Sequence, residues 1–277
     1  MQPVFTIMRL TFREAWRRKV VLLSLVLSIL YLALYSIGFG YVTGRALAGN
    51  SHGLMVSEVQ NTLLLAGLYV VHFLTVVLSI FVCGDTISGE ISTHTIQSLA
   101  TKPISRWQII IGKWLGYSIL MGLYITIVGG GLIAITWLKF QYLPSSPITA
   151  LSLLLLESQV LICLTLFAGT RLSTITNGVT LFLIYSLAFI GSWVEQIGST
   201  FNSPEAVRVG VISSLLLPVE ALWRRTSYTL QPADVSPTHF TPFSAFSVPS
   251  VAMIWYAGAY ALVALGLSIW NFKRTDL

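Results

Sequence analysis

The sequence is poor in charged residues and in cysteine. Only 9% of its 277 residues are charged and 55% are apolar, whereas a soluble globular chain has about 25% charged residues. The mean hydropathy of +0.80 agrees with this composition. The two cysteines, Cys83 and Cys163, lie within apolar stretches, so a disulfide framework is not indicated. The composition predicts a membrane protein.

A nucleotide-binding loop and a metal site are also missing from the sequence. Gly112-Lys113 resembles the end of a phosphate-binding loop, but that motif requires Gly where Trp107 stands and Ser or Thr where Trp114 stands. The isolated histidines His52 and His239 have no second ligand at metal spacing. We therefore expect no catalytic activity, no cofactor and no metal in this chain.

Six apolar stretches are long enough to cross a bilayer as helices, which takes about 20 residues. They are residues 20–41, 63–83, 114–138, 148–168, 175–194 and 251–270. A seventh candidate, 207–222, is interrupted by Arg208 and Pro218. The sequence predicts an all-α membrane protein with six transmembrane helices, which form a single domain over residues 1–277.

The basic residues predict the orientation of these spans. Most of them fall in segments on the same side as the N-terminus, and short cationic loops stay preferentially in the cytoplasm. We expect both termini to be cytoplasmic, in the inner (plasma) membrane of a bacterial cell. The net charge of +6 is then a signal of topology, and nucleic-acid binding is not expected.

The N-terminal segment 1–19 has an amphipathic helical pattern. One side is mainly apolar, with Phe5, Met8, Phe12, Ala15 and Trp16, and the other carries Arg9, Arg13, Glu14 and Arg17. This pattern is typical of a helix in the membrane interface, with its arginines near lipid headgroups. The alternative is a basic topology anchor continuous with the first span.

A long external segment, 196–249, precedes the last span. Its prolines divide it into short pieces, of which 207–217 and 221–230 are predicted to be short helices. We expect these helices to form a cap that dips toward the outer leaflet. The cap is either a gate at the outer mouth or a passive lid, and the sequence leaves both open.

The polar segment 84–113 lies between the second and third spans. Because Lys102 precedes Pro103, a helix that begins near Thr86 is expected to end by about Thr101. Ser105 and Gln108 have the spacing of a capping box. The pattern predicts helix, break and helix, and the second helix continues as the third span.

This segment resembles the loop between spans two and three of the type-2 ATP-binding-cassette (ABC) exporter permeases. That loop has Glu, Gly-Thr, a leucine-rich turn, Pro-Val-Ser-Arg, an apolar run and Gly-Lys. In the same order this sequence has Glu90, Thr95, Leu99, Pro103-Ile104-Ser105-Arg106, Ile109-Ile110-Ile111 and Gly112-Lys113. His94 departs from the pattern, since the family usually has Gly there. With the number of spans, the N-terminal helix and the last external loop, the resemblance covers essentially the whole chain.

The resemblance implies a permease subunit that forms the translocation pathway as a dimer. Such permeases lack an ATPase: two permease chains, identical or different, assemble with two separate subunits that bind ATP and Mg²⁺. A cytoplasmic coupling helix, here within residues 85–106, docks into the ATPase. We expect Glu90, Thr95 and Arg106 to contact that partner or to hold the connection together. The alternative is that Glu90 and Arg106 are solvated loop charges.

His72 and Glu157 are ionisable residues within predicted spans. Both are near the bilayer midplane and at the same depth, where an ionised carboxylate costs about 2.5–3.5 kcal/mol. Either the two side chains meet, or Glu157 and Gln159 line the substrate path. A plain interhelical hydrogen bond explains the residues equally well.

Two other classes of protein remain open at this stage. The chain could be a proton-coupled secondary transporter that uses Glu157 and His72 or a small channel, or it could be a non-transporting membrane anchor for a soluble partner. No inverted repeat of broken spans supports the first alternative. The apolar spans favour a hydrophobic or amphipathic substrate over a small ion.

Overall fold

The computed structural model describes residues 2–48, 53–92, 105–231 and 247–274. These residues form nine helices and no strand. The helices are α1 (Gln2–Arg17), α2 (Lys19–Ala48), α3 (Gly53–Ser92), α4 (Arg106–Phe140), α5 (Pro147–Gly169), α6 (Thr174–Thr200), α7 (Pro204–Leu216), α8 (Val219–Leu230) and α9 (Ala252–Arg274). Among the described residues, six helices are long and apolar enough to cross a membrane, or seven if α7 and α8 form one span. The all-α fold is confirmed.

The helices α3 and α5 form the centre of the bundle. They bury the largest share of their apolar stretches, and α2 buries the smallest. The centrally placed α5 packs against α3, α4, α8 and α9. Since α2 has little protein around it, most of its apolar side chains are left for lipid or for another chain.

Two span helices extend beyond the apolar stretches that predicted them. The 40 residues of α3 include Thr86 and continue to Ser92, and the 35 residues of α4 begin at Arg106. At ~1.5 Å per residue, α4 is about 50 Å long, which exceeds the ~30 Å hydrocarbon core. No new helix begins near Thr86, contrary to the prediction, because α3 is uninterrupted there. Thr95, His94 and Pro103 lie outside the described residues.

The amphipathic α1 packs along α4 near its N-terminal end. A Cβ on Gly112 would lie 2.8 Å from Ile7 Cβ, and a Cβ on Gly116 would lie 2.9 Å from Thr11 Cβ. The buried side of α1 is therefore Ile7, Thr11 and Ala15, whereas Phe5 is exposed. Only part of the predicted apolar face contacts protein: Phe12 is partly buried against the core, whereas Phe5 and Trp16 are exposed. A break at Arg18 separates α1 from α2.

The helices α7 and α8 form a bent pair that enters the bundle. Their axes differ by 106°, and the bend falls at Leu217-Pro218, where proline removes a backbone N–H and ends the helix. The start of α8 reaches His72 at mid-bundle, and Gln231, just after α8, accepts a hydrogen bond from Ser145 before α5. The short helices are present, and they reach into the bundle as far as His72, deeper than a surface cap. The pair is hereafter the α7–α8 hairpin.

Glycines allow α7 to lie directly on α6. A Cβ added at Gly210 would be 2.8 Å from the carbonyl oxygen of Gly191 and 2.9 Å from Glu195 Cα. A Cβ at Gly198 would be 2.5 Å from Ala206 Cβ. Hence the two helices touch backbone to backbone, a close approach that small residues make available to membrane helices.

Replacing Gly210 by alanine should therefore destabilise the protein. The added methyl group forces α7 away from α6, at a cost of about 1–3 kcal/mol. Unfolding of the purified protein in mixed micelles measures this change. Gly258→Ala in α9 is the matched control, because nothing lies within 4 Å of its added Cβ. Equal stability of the two variants would show that the glycine contact is not tight in the folded protein.

Candidate functional site

A histidine between two carboxylates lies at the centre of the bundle. His72 Nδ1 is 2.9 Å from Glu157 Oε2, and His72 Nε2 is 3.2 Å from Glu220 Oε1. Tyr185 Oη is 3.4 Å from the same Nε2. We call these four residues the His72 cluster. They come from α3, α5, α8 and α6, so the cluster joins three span helices to the α7–α8 hairpin.

The cluster is closed off from solvent. His72 and Glu157 have no exposed surface, and Glu220 is 3% exposed. The rings of Tyr69 and Trp223 lie against the imidazole, with centroids 5.5 and 5.0 Å away. Charged groups in such surroundings are stable only when paired, and removing one partner leaves the others uncompensated.

The two carboxylate contacts of His72 require an additional proton within the cluster. A neutral imidazole has one N–H and can donate to one carboxylate only. Contact with both Glu157 and Glu220 therefore requires a doubly protonated ring or a protonated carboxyl group. In either case the cluster contains a proton with more than one available position, and His72 can favour the fixed carboxylate on α5 or the one on the hairpin.

A second ionic group holds α8 one turn further along the helix. Arg224 forms a two-point contact with Glu195 of α6, with Nη1–Oε1 at 2.6 Å and Nη2–Oε2 at 2.9 Å. Ser214 of α7 accepts a hydrogen bond from Arg224 Nη2 at 3.0 Å, and Ser247 donates to Glu195 at 2.6 Å. We call these residues the Arg224 cluster. Both charged groups are at least 95% buried.

The residues predicted to line the path do not all meet. His72 and Glu157 are in contact, but Gln159 leaves α5 on another side and accepts a hydrogen bond from Ser118 of α4 at 2.7 Å. This separation follows from helix geometry, because side chains two positions apart on an α-helix point about 200° away from each other around the axis. Glu157 and Gln159 therefore contact different helices.

Arg106, a predicted coupling residue, is bonded to the end of the last helix. Its Nη1 donates to the carbonyl oxygens of Phe272 at 3.2 Å and Lys273 at 3.1 Å. At the same end of α4, Gln108 Oε1 accepts from the Ser105 N–H at 3.1 Å, which is one half of the predicted capping box. Glu90 lies in the last turn of α3, and Thr95 lies outside the described residues.

The model of one family, described as ABC-2 family transporter protein, matches residues 5–277. That match covers nearly every helix of the bundle, including the α7–α8 hairpin. The chain belongs to the ABC-2 transporter family. A search of the curated proteins returned no match.

Membership makes this protein the membrane-embedded permease component of an ABC transporter. Within the permease, the described residues include no group of three or more His, Cys, Asp or Glu side chains that could hold a metal ion. The His72 cluster agrees with this finding, because its two carboxylates bind opposite nitrogens of the ring and do not converge on one point.

Four functional candidates of the permease were missed by sequence reasoning: Glu220, Tyr185, Glu195 and Arg224. Glu220 falls in the predicted external segment 196–249, because Pro218 shortens the apolar run around it. The sequence nevertheless contains one signal of its burial. Glu220 and Arg224 are four residues apart and face the same side of a helix, so a mostly apolar segment carried two aligned charges that had to find buried partners.

Proposed function

We propose that the permease is half of a membrane dimer that exports a hydrophobic or amphipathic substrate, driven by a separate ATPase. That ATPase binds ATP and Mg²⁺ and contacts the segment between α3 and α4, with Glu90, Thr95 and Arg106 at or beside the contact. Both termini face the cytoplasm of the cell whose plasma membrane holds the protein. Its family membership supports this assignment.

One observation carries the coupling proposal: the helices on both sides of that segment are anchored to the bundle. Lys113 Nζ donates to the Thr86 carbonyl oxygen at 2.8 Å, which joins α4 to α3. Arg106 joins α4 to the end of α9. Since each helix continues unbroken into a span, a push on the segment between them is transmitted as a rigid-body movement of the helices.

The α7–α8 hairpin is the element that we expect to move in response. It is held at mid-bundle by His72–Glu220 and nearer its outer end by the Arg224 cluster. His72 contacts both carboxylates in this structure. Moving the shared proton onto Glu220 would leave His72 bonded to Glu157 alone and would free the tip of the hairpin without leaving a buried charge unpaired. The hairpin is then a gate on the outer side, and the His72 cluster is its latch.

Affinity purification of the tagged permease from its native cells tests this function. A co-purifying protein with a phosphate-binding loop and measurable ATP hydrolysis is the expected result. Arg106→Gln should lower the transport obtained per ATP hydrolysed, because α4 loses its bonds to the end of α9. Lys273→Gln, an exposed residue at the same end, is the control and should behave as wild type.

A proton-coupled transporter is the second candidate, and one observation favours it: an imidazole between two carboxylates at mid-bundle. Vesicles that contain the permease alone distinguish the two. Uptake driven by a pH gradient, with no ATPase and no ATP, would support proton coupling and overturn the proposed function. Binding of an ATPase without any transport would instead indicate a membrane anchor.

A further inference from the structure

A cleft of about 1160 Å³ lies beside α1. Its walls come from α1, from the start of α2 and from the ends of α3, α4 and α6 that are nearest to α1. Among the described residues, six charged side chains line it: Arg13, Glu14, Arg17, Arg18, Lys19 and Lys113. Five of these six are cations, so this part of the lining favours an anion.

Some of these cations have partners within the protein and others do not. Arg18 bonds to Glu14 at 2.8 Å, and Lys113 bonds to the Thr86 carbonyl oxygen. Within the part of the chain that the structure describes, no hydrogen-bond or ion-pair partner is found for Arg13, Arg17 or Lys19. Three cations with no protein partner thus gather at one opening.

The cleft also has an apolar wall. Leu10, Val20 and Phe81 line it and are 58%, 47% and 46% exposed. Phe81 belongs to the stretch of α3 that is apolar enough to cross a membrane. A small soluble anion would make no apolar contacts with this wall. A molecule with a charged headgroup and a hydrocarbon chain fits both parts of the cleft.

We propose that the cleft binds an anionic phospholipid. Its phosphate lies among Arg13, Arg17 and Lys19, and one acyl chain lies along Leu10, Val20 and Phe81. Guanidinium groups bind phosphate oxygens through paired, charge-assisted hydrogen bonds, and basic pockets between membrane helices bind acidic lipid headgroups. The proposal shares with the proposed function only the orientation, which places the lipid in the cytoplasmic leaflet.

Lipid binding to the purified full-length permease tests the proposal, and no ATPase is needed. Phosphatidylglycerol and phosphatidylcholine are titrated into the detergent-solubilised protein, and bound lipid is counted by native mass spectrometry. The variant Arg13→Gln/Arg17→Gln/Lys19→Gln should bind phosphatidylglycerol about tenfold more weakly or worse. Its weak binding of phosphatidylcholine should not change.

A second triple variant, Arg9→Gln/Lys273→Gln/Arg274→Gln, removes the same charge from exposed positions of α1 and α9 outside the cleft. It should keep wild-type affinity for phosphatidylglycerol. If both triple variants lost phosphatidylglycerol affinity equally, the proposal would be overturned, because the binding would then depend on surface charge in general. Displacement of the lipid by inorganic phosphate at constant ionic strength would also overturn it, because the apolar wall would then contribute nothing.

Folding of the variants is checked by gel filtration and by thermal unfolding. Because the three cleft cations are exposed, both triple variants should fold as wild type does. If the cleft variant does not, the single changes at Arg13, Arg17 and Lys19 replace it. Each should weaken phosphatidylglycerol binding by a smaller factor, and wild-type affinity in all three would reject the site.

Discussion

Replacing Arg224 by methionine is expected to lower the free energy of unfolding by about 3–5 kcal/mol, because it leaves a buried carboxylate without its partner. Glu195 is 3% exposed and makes a two-point contact with the guanidinium group. Glu195 would keep the hydrogen bond from the Ser247 hydroxyl group, but that bond cannot neutralise the charge of the carboxylate. Unfolding in mixed micelles, followed by circular dichroism, measures the loss.

Two further variants show whether the effect comes from the ion pair. Arg225→Met removes the neighbouring guanidinium, which bonds to the Pro249 carbonyl oxygen and faces no carboxylate among the described residues, and it should cost much less. Arg224→Met/Glu195→Leu removes both charges and should recover most of the stability, since buried ion pairs can be replaced by apolar groups at little cost. A double variant as unstable as Arg224→Met would contradict this explanation.

In the proposed ATP-driven export, replacing Glu157 by glutamine is expected to reduce transport by about tenfold or more while assembly stays normal. Glutamine still reaches His72 but removes the charge that competes with Glu220 for the ring. His72 then remains with Glu220, and the α7–α8 hairpin stays locked. A hydrogen bond to a charged group contributes about 1.5–3 kcal/mol, which corresponds to a tenfold shift or more.

Glu220→Gln is the matched variant and should have the opposite effect on the hairpin. Here His72 remains with Glu157, so amide hydrogen exchange in 204–231 should become faster than in wild type, whereas in Glu157→Gln it should become slower. Export is measured with the fluorescent amphipathic dye that the wild-type complex exports best. Unchanged export by a normally assembled Glu157→Gln complex would remove this residue from the mechanism.

Much of the fold could be predicted from local features of the sequence. Spans were predictable because backbone groups in hydrocarbon must be satisfied within their own helix, which imposes a minimum apolar length. The cap at Ser105 and Gln108 was predictable because it involves residues three positions apart. Helix ends were less predictable: α3 continues through Thr86 to Ser92, although the hydrophobic stretch ends earlier.

The α7–α8 hairpin shows why the rest required the tertiary structure. Pro218 correctly indicated two short helices, but Arg208 and Pro218 interrupt the apolar run, so the sequence predicted an external segment there. A segment that contains Glu220 and Arg224 is costly to bury. Burial becomes favourable only because His72 and Glu195 stand opposite these charges, and those partners are 148 and 29 residues away in the chain.

By itself the sequence determined the class of protein, the number of apolar spans, the polar segment between α3 and α4, and the resemblance to the family that the match over residues 5–277 confirmed. The tertiary structure decided which charged side chains meet. It brought Glu157 to His72, separated Gln159 from them, and attached Arg106 to the end of α9. The physical reason is the same in each case: membrane insertion depends on the apolar content of one segment at a time, whereas charge pairing depends on helix rotation and depth relative to other helices.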